Sequence, residues 1–292
     1  VTWSNYLPRR SPTLRQEQLT EATTIGAPLQ APAVALNIPV PQHGLRIAVL
    51  PDAQVKDGDP VDHLAAYGKY IAAKRPDVVV CIGDFGDFPS LSTYAKPGSI
   101  DAEGQRYRRD VDAVRRGMDT FMGPIHAAPG YNPVKVFTRG NHEDRVDRAI
   151  NVDPNRLMGV ISQADLGYEE HGWNVIPFLQ PVSIGGVVFC HYLPSGVMGR
   201  PIQTARGILS KLHQSAFVGH QQGRDIAYAK RANGQQMTAI VSGSFYQHDE
   251  SYLSPMTNRH WRGAYFLHEV KDGQYDEMAL SLGYILRWAA KH

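Results

Sequence analysis

The stretch Val78-Val-Val-Cys-Ile-Gly-Asp-Phe-Gly-Asp87 decides how the rest of the chain is read. Its first five residues are apolar and three are valine, which predicts a strand buried on both faces, as in a parallel sheet covered by helices. The run breaks at Gly83 and delivers a carboxylate, Asp84, just past the strand end. In such sheets the carboxyl ends of the strands form the binding crevice. The pattern recurs upstream, where Leu45-Arg-Ile-Ala-Val-Leu50 predicts a strand stopped by Pro51, with Asp52 directly after. Between the two strands, Asp59-Pro60 predicts an N-cap followed by proline in the first helical turn. Leu64, Tyr67 and Ile71 then share one helix face, and Pro76 ends that helix by about Arg75.

Downstream, Tyr107, Val111, Val114, Met118, Phe121 and Ile125 recur at helical spacing and predict a helix over 103–127 with one apolar stripe. Val134–Thr138 reads as the next strand and 143–151 as a helix. Val182–Ile184 and Val187–Cys190 flank Gly185-Gly186, a two-residue hairpin signal. A helix over 204–213 precedes a strand at Ala216–Val218, and strands follow over 237–241, 264–270 and 275–282, the last two joined through Lys271-Asp-Gly273. A β-α-β-α-β first half with a strand-rich second half predicts a layered α/β architecture with two sheets. Residues 1–43 differ: six prolines and no sustained period predict an arm or linker, with one short helix near 12–23, ahead of a single domain over 44–292.

The composition sets bounds on function. Of 292 residues, 42% are hydrophobic and 20% charged, which is globular and too apolar for disorder. Thirty basic against 28 acidic residues leave +2, too little to argue for nucleic acid by charge alone. No apolar run reaches the roughly 18 residues of a membrane helix. Two cysteines, Cys81 and Cys190, make neither a disulfide framework nor a zinc pattern, and they read as strand packing. With no secretory leader visible, the expected setting is the cytoplasm.

Five polar clusters each sit where a predicted strand ends: Asp52-Ala-Gln54, Gly83-Asp-Phe-Gly-Asp87, Gly140-Asn-His-Glu143, His191, and Gly219-His-Gln-Gln222. Singly, each is what a turn or a hydrogen-bonded structural histidine would look like. Together they bring Asp, Asn and His in ligand-like number to one crevice.

In this order the clusters resemble the calcineurin-like metallophosphoesterases, whose pattern runs Asp-x-His, Gly-Asp-x-x-Asp, Gly-Asn-His-Asp/Glu, a lone His, and Gly-His-x-His. The resemblance spans about residues 45–225 and implies an αββα sandwich, two mixed β-sheets flanked by helices. It also implies two divalent metal ions flanking a hydroxide that attacks phosphorus. By the resemblance, Asp84 bridges the metals and Asp52 holds the first. Asn141, His191 and His220 hold the second. His142 faces the scissile phosphate as general acid or charge stabiliser, and Asp87 orients its ring. The segment His260-Trp-Arg-Gly263 resembles bacteriophage-encoded members, which implies host cytoplasm as the setting.

Two positions depart from the family pattern, Gln54 and Gln222, where it has histidine. Both belong to the first metal, whose donor set becomes Asp52, Gln54, Asp84 and Gln222, nearly all oxygen. Hard oxygen donors suit Mg²⁺, Mn²⁺ or Ca²⁺, and the histidine-bearing second site suits Mn²⁺, Fe²⁺ or Zn²⁺, so Mn²⁺ is the expected cofactor. If neither glutamine ligates, the site is mononuclear or inactive.

The arginines of 106–116 spread around a helix and read as a solvated face. Arg145 and Arg148, at i and i+3 after the His142 loop, are candidate phosphate-backbone ligands, with pairing to Asp144 or Asp147 as the plain alternative. His63, His126, His213 and His248 read as structural. The stretch 244–262 reads either as a loop over the crevice or as surface. The expected function is phosphodiester hydrolysis on DNA, RNA or nucleotides. A phosphomonoesterase resembling protein phosphatases and a non-catalytic scaffold are the competing readings.

Overall fold

The computed structural model describes residues 34–36, 38–93, 103–249 and 256–292. The helix expected near 12–23, most of the 1–43 arm and the middle of 244–262 lie outside them. Two six-stranded sheets make the framework. The first runs β14-β13-β2-β3-β4-β5, with β2 at Leu45–Leu50, β3 at Val78–Cys81, β4 at Val134–Thr138, β5 at Asn174–Ile176, β13 at Gly263–Lys271 and β14 at Gln274–Ser281. Strands β2 to β5 are parallel, and β13 joins β2 antiparallel. The second runs β1-β6-β7-β10-β12-β11, with β1 at Val34–Ala35, β6 at Val182–Ile184, β7 at Val187–Cys190, β10 at Ala216–Val218, β11 at Arg224–Lys230 and β12 at Gln236–Ser242. Its central β7, β10 and β12 are parallel. A small hairpin pairs β8 (Pro194–Ser195) with β9 (Arg200–Pro201).

The two-residue period of a strand sorts side chains into layers. Ile47 and Val49 of β2 and Val78 and Val80 of β3 meet Phe189, Phe217 and Ile240 of the other sheet in a buried inter-sheet core. Their alternates Ala48, Leu50, Val79 and Cys81 face helices α1 (Asp62–Lys74), α2 (Tyr107–His126) and α6 (Leu282–Ala289). On the far side, Val188, Cys190, Ala216 and Val218 pack on α5 (Ala205–Leu212). The architecture is therefore the expected αββα sandwich. Cys81 and Cys190 are buried and unpaired. No helix among the described residues is long and apolar enough to cross a membrane.

Two helix starts differ from expectation. Helix α1 begins at Asp62, and its N-cap position is Val61, whose side chain cannot cap; the Asp59 carboxylate lies 2.9 Å from His248 Nδ1 instead. Helix α2 begins at Tyr107, where the apolar stripe begins. Strands β5 and β11 carry little of the periodic signal: β5 has three residues, and β11 is an edge strand whose residues are all part-exposed or exposed. Helix α6, with Leu282 and Ile285 buried one turn apart, has that signal but is absent from the sequence reading.

Phe121, fully buried between the rings of Tyr67 and Trp173, anchors α2 on the first sheet. Phe121→Ala is expected to cost about 3–5 kcal/mol in urea unfolding. Arg108→Ala, which loses only an exposed ion pair with Asp112, should cost no more than about 0.5 kcal/mol.

Candidate active site

Every polar cluster of the sequence follows a parallel strand: Asp52 and Gln54 after β2, Asp84 after β3, Asn141 to Glu143 after β4, His191 after β7, and His220 and Gln222 after β10. The strand ends of both sheets meet here, and hydrogen bonds tie the clusters together. His191 Nε2 lies 3.2 Å from Asp84 Oδ2 and 3.0 Å from Asn141 Oδ1. His220 Nδ1 stands 2.7 Å from the same Asn141 oxygen, while the His220 backbone N–H donates to Asp52 Oδ2 at 3.0 Å. Among the described residues, ligand atoms of Asp84, His191 and His220 lie within 4.8 Å of one another, a spacing that one metal ion could span.

The backbone around these groups is strained. Gln54, Asp84, His220 and Gln222 all have positive φ, between 42° and 71°, which non-glycine residues adopt only where surrounding structure compels it. Glycines make the close approaches possible. A methyl group on Gly140 would overlap Asp84 Oδ1, and one on Gly219 would overlap Asp52 Oδ1.

Sequence reasoning assigned no role to Glu143, the residue that organises the site. Its buried carboxylate accepts the backbone N–H groups of Asp84 and Phe85 at 2.9 Å, Gly86 at 3.2 Å and Gly140 at 2.8 Å. The Tyr168 hydroxyl donates to it as well, at 3.3 Å. One side chain thus pins the Asp84 loop to the Asn141 loop. The signal was present, a carboxylate three residues after Gly140 where the chain turns into α3 (Asp144–Val152), but it became legible only once the partner loop was in place.

Charges are concentrated here. Burial, with Asp84 nearby, pushes the Asp52 carboxyl up to about 7. Burial works the same way on Asp84, yet the imidazoles of His142 and His191 outweigh it and hold this carboxyl low. Burial disfavours a charged His191, but the Asp84 contact prevails and raises it to about 9. His220 goes the other way: burial, reinforced by His191, lowers it to about 4 and leaves a neutral imidazole, the form that binds a metal.

His142 Nδ1 faces Asp87, 2.9 Å from both Oδ1 and the backbone oxygen. Burial opposes the His142 charge, but Asp84 and the Asp87 hydrogen bond raise its pKa overall. Arg145 Nη1 donates to the Asp87 and Phe88 carbonyls, and Nη2 lies 3.3 Å from His142 Nε2. Arg148 donates to the Asn141 carbonyl at 2.8 Å and pairs with Asp144 at 3.1 Å, while Asp147 pairs with Arg139. Both arginines thus border the site with part of each guanidinium engaged by protein.

Gln54 is buried, and among the described residues neither Oε1 nor Nε2 has a hydrogen-bond partner. An unpartnered buried amide is costly, and a cation beside Asp52 and Asp84 would satisfy its oxygen. The residues present therefore fit a metal centre. Gln222 Oε1 accepts the hydroxyl of Tyr246, a residue with no place in the sequence reading.

The sequence profile of the calcineurin-like phosphoesterases matches residues 45–233. The gene 54 proteins of mycobacteriophages L5 and D29 are 30% and 28% identical over 186 residues, 62% of this chain and 70% of each relative. Among solved structures, a dimetal phosphatase from Danio rerio aligns over 82% of this chain and 96% of its own, at 12% identity and a TM-score of 0.41. The Yfce phosphoesterase of E. coli aligns over 81% and 100%, at 12% identity and a TM-score of 0.37.

Glu143→Ala would strand four backbone donors in a buried site. The expected result is a loss of about 3 kcal/mol or more of stability, read by thermal or urea unfolding, together with loss of Mn²⁺ uptake in calorimetry.

Proposed function

The chain belongs to the calcineurin-like phosphoesterase family and is a metal-dependent phosphoesterase, and from that premise we propose that it cleaves phosphodiesters in nucleic acids or nucleotides at a two-metal site. The observation that carries the reading is the convergence of Asp84, His191 and His220, with Asn141 bonded to both histidines. In this reading Asp52, Gln54, Asp84 and Gln222 hold one ion, and Asp84, Asn141, His191 and His220 hold the other. Bound there, divalent ions supply positive charge for the phosphate oxygens and an activated water for attack.

The protein's own groups do the rest. Asp87 takes the Nδ1 proton of His142 in a hydrogen bond, so the ring presents Nε2 to the substrate side. The Asp84 and Asp87 contacts favour the protonated ring over burial, and in this reading the ring passes its Nε2 proton to the leaving alkoxide. Arg145, bonded to the Asp87 carbonyl, holds the Asp87 loop beside the imidazole and adds positive charge near the leaving oxygen, a charge that opposes the one on the ring. Arg148, its side chain 52% exposed beside Asn141 and paired with Asp144, is the group this reading offers to the second ester arm of a diester. A monoester has no second arm to hold.

Assays with bis-p-nitrophenyl phosphate and p-nitrophenyl phosphate across divalent metals test this. The diester should be the better substrate, Asp84→Asn should abolish turnover, and on a dinucleotide, whose alkoxide leaving group needs a proton, His142→Ala should lower kcat by about 10²–10⁴-fold with KM little changed. A preference for the monoester would move the reading to a phosphomonoesterase, and a His142→Ala variant indistinguishable from wild type would favour a scaffold. Because oxygen donors dominate the glutamine-bearing half, Mn²⁺ should activate best, and calorimetry should resolve one tighter and one weaker ion. Two equally tight Zn²⁺ ions would contradict that assignment.

A further inference from the structure

A glutamine in a metal site has a problem that histidine lacks. Its two amide ends are nearly the same size, but only the oxygen carries lone pairs for a cation. Among the described residues, Gln54 has no hydrogen-bond partner at either end of its amide. Gln222 is treated differently. The Tyr246 hydroxyl donates to its Oε1 at 2.9 Å, and the same hydroxyl lies 3.2 Å from His260 Nε2. His260 Nε2 is also 2.8 Å from the Ser244 hydroxyl. Tyrosine has one proton to give. With Nε2–H on His260, the imidazole donates to Ser244 and Tyr246, and the tyrosine proton goes to Gln222. With Nε2 bare, His260 would compete for that proton and the amide could turn over.

The surroundings hold this chain of bonds in place. Tyr246 is fully buried, its ring stacked on His248 at 4.5 Å between centroids, with the Arg262 guanidinium 4.8 Å from the ring centre. Ser244 bridges Asp52 on one side and Arg262 on the other, and Phe245 N–H donates to the Asp52 carbonyl at 2.7 Å. Ser244 and Tyr246 follow β12 as the other site motifs follow their strands. His260 and Arg262 belong to the His260-Trp-Arg-Gly263 segment, for which the site described above has no use.

We infer that Tyr246 and His260 are positioning residues that orient Gln222 by its amide oxygen, making this glutamine an oxygen ligand of the first metal where the family pattern has histidine. The inference rests on the reading of Gln222 as a ligand. The oxygen keeps a second lone pair after accepting the tyrosine proton, so orientation and ligation are compatible. Hydrogen-bond partners of metal ligands commonly contribute about 10–100-fold in metal affinity.

Calorimetric titration of Mn²⁺ into the metal-stripped full chain tests it, comparing wild type with Tyr246→Phe, His260→Ala, His260→Gln and Gln222→Ala. Tyr246→Phe keeps the ring, with its stacking and its cation contact. It should weaken one of two binding events by about 10–100-fold and leave the other as in wild type. Gln222→Ala should weaken the same event. His260→Ala should follow Tyr246→Phe, and His260→Gln, which retains an N–H donor, should recover most of the loss. If Tyr246→Phe titrates as wild type while Gln222→Ala weakens one event, the positioning role is wrong and the ligand assignment stands. If Gln222→Ala also titrates as wild type, both are wrong. Equal weakening of both events by Tyr246→Phe, or no difference between the two His260 variants, would also overturn the inference.

Discussion

The Glu143 carboxylate is the constraint on which the site depends. Two loops from different strands must each turn their backbones into a buried space, and the N–H groups they bring have no sheet or helix to bond with. A single carboxylate accepts four of them, from Asp84, Phe85, Gly86 and Gly140. That clamp lets Asp84 stay in the left-handed region, at φ 48°, with its carboxylate directed to His191 and to the His142 backbone N–H. The cost of burying such donors unpaired is what ties the two loops to the Glu143 carboxylate.

The same burial creates an electrostatic demand. Asp52, Asp84 and Glu143 are carboxylates with almost no exposure, gathered in one crevice. Imidazoles partly answer their charge: His191 is driven up to about 9 by Asp84, and His142 rises against its own burial. Asp52 at about 7 shows that the balance is incomplete, because its carboxyl is pushed toward the neutral form. A crevice that lifts a buried carboxyl and raises the imidazoles beside it has a need for positive charge. The unpartnered oxygen of Gln54 points to the same need from a neutral group.

Much of this was legible in the sequence because it depends on short-range pattern. The near-continuous apolar runs in Leu45–Leu50 and Val78–Cys81 follow from two-sided burial, and the stripe from Tyr107 to Ile125 follows from one-sided burial, so both are visible as local patterns. The five clusters were legible because each follows a readable strand. What escaped notice depends on partners distant in sequence. Asp59 has the composition of an N-cap, yet its carboxylate is taken by His248, which no local rule reveals. Glu143 looks like the first residue of an acidic helix until the loop at 84–86 is laid against it. Ser244 and Tyr246 follow a sixth strand end, but serine and tyrosine carry no metal signature, and their role depends on contacts to Gln222 and His260.

The site is also divided between the two sheets. Asp52, Asp84, Asn141 and His142 come from the first sheet, and His191, His220 and Gln222 from the second. Bonds across the seam join the halves directly: His191 reaches the Ile82 carbonyl, Asp84 and Asn141, and His220 reaches Asn141 and, through its backbone N–H, Asp52. The approach is so close that a methyl on Gly219 would lie 2.9 Å from the Ile82 side chain. Ile82 belongs to the inter-sheet core with Phe189 and Phe217, so the distance between the halves is set by how those side chains fill the space between the sheets. Interiors packed at crystal-like density transmit a change of one methylene as a backbone shift. A shift of that kind between the sheets moves His191 and His220 relative to Asp84. The apolar core therefore helps set the spacing of the site's polar groups, although none of its side chains belongs to them.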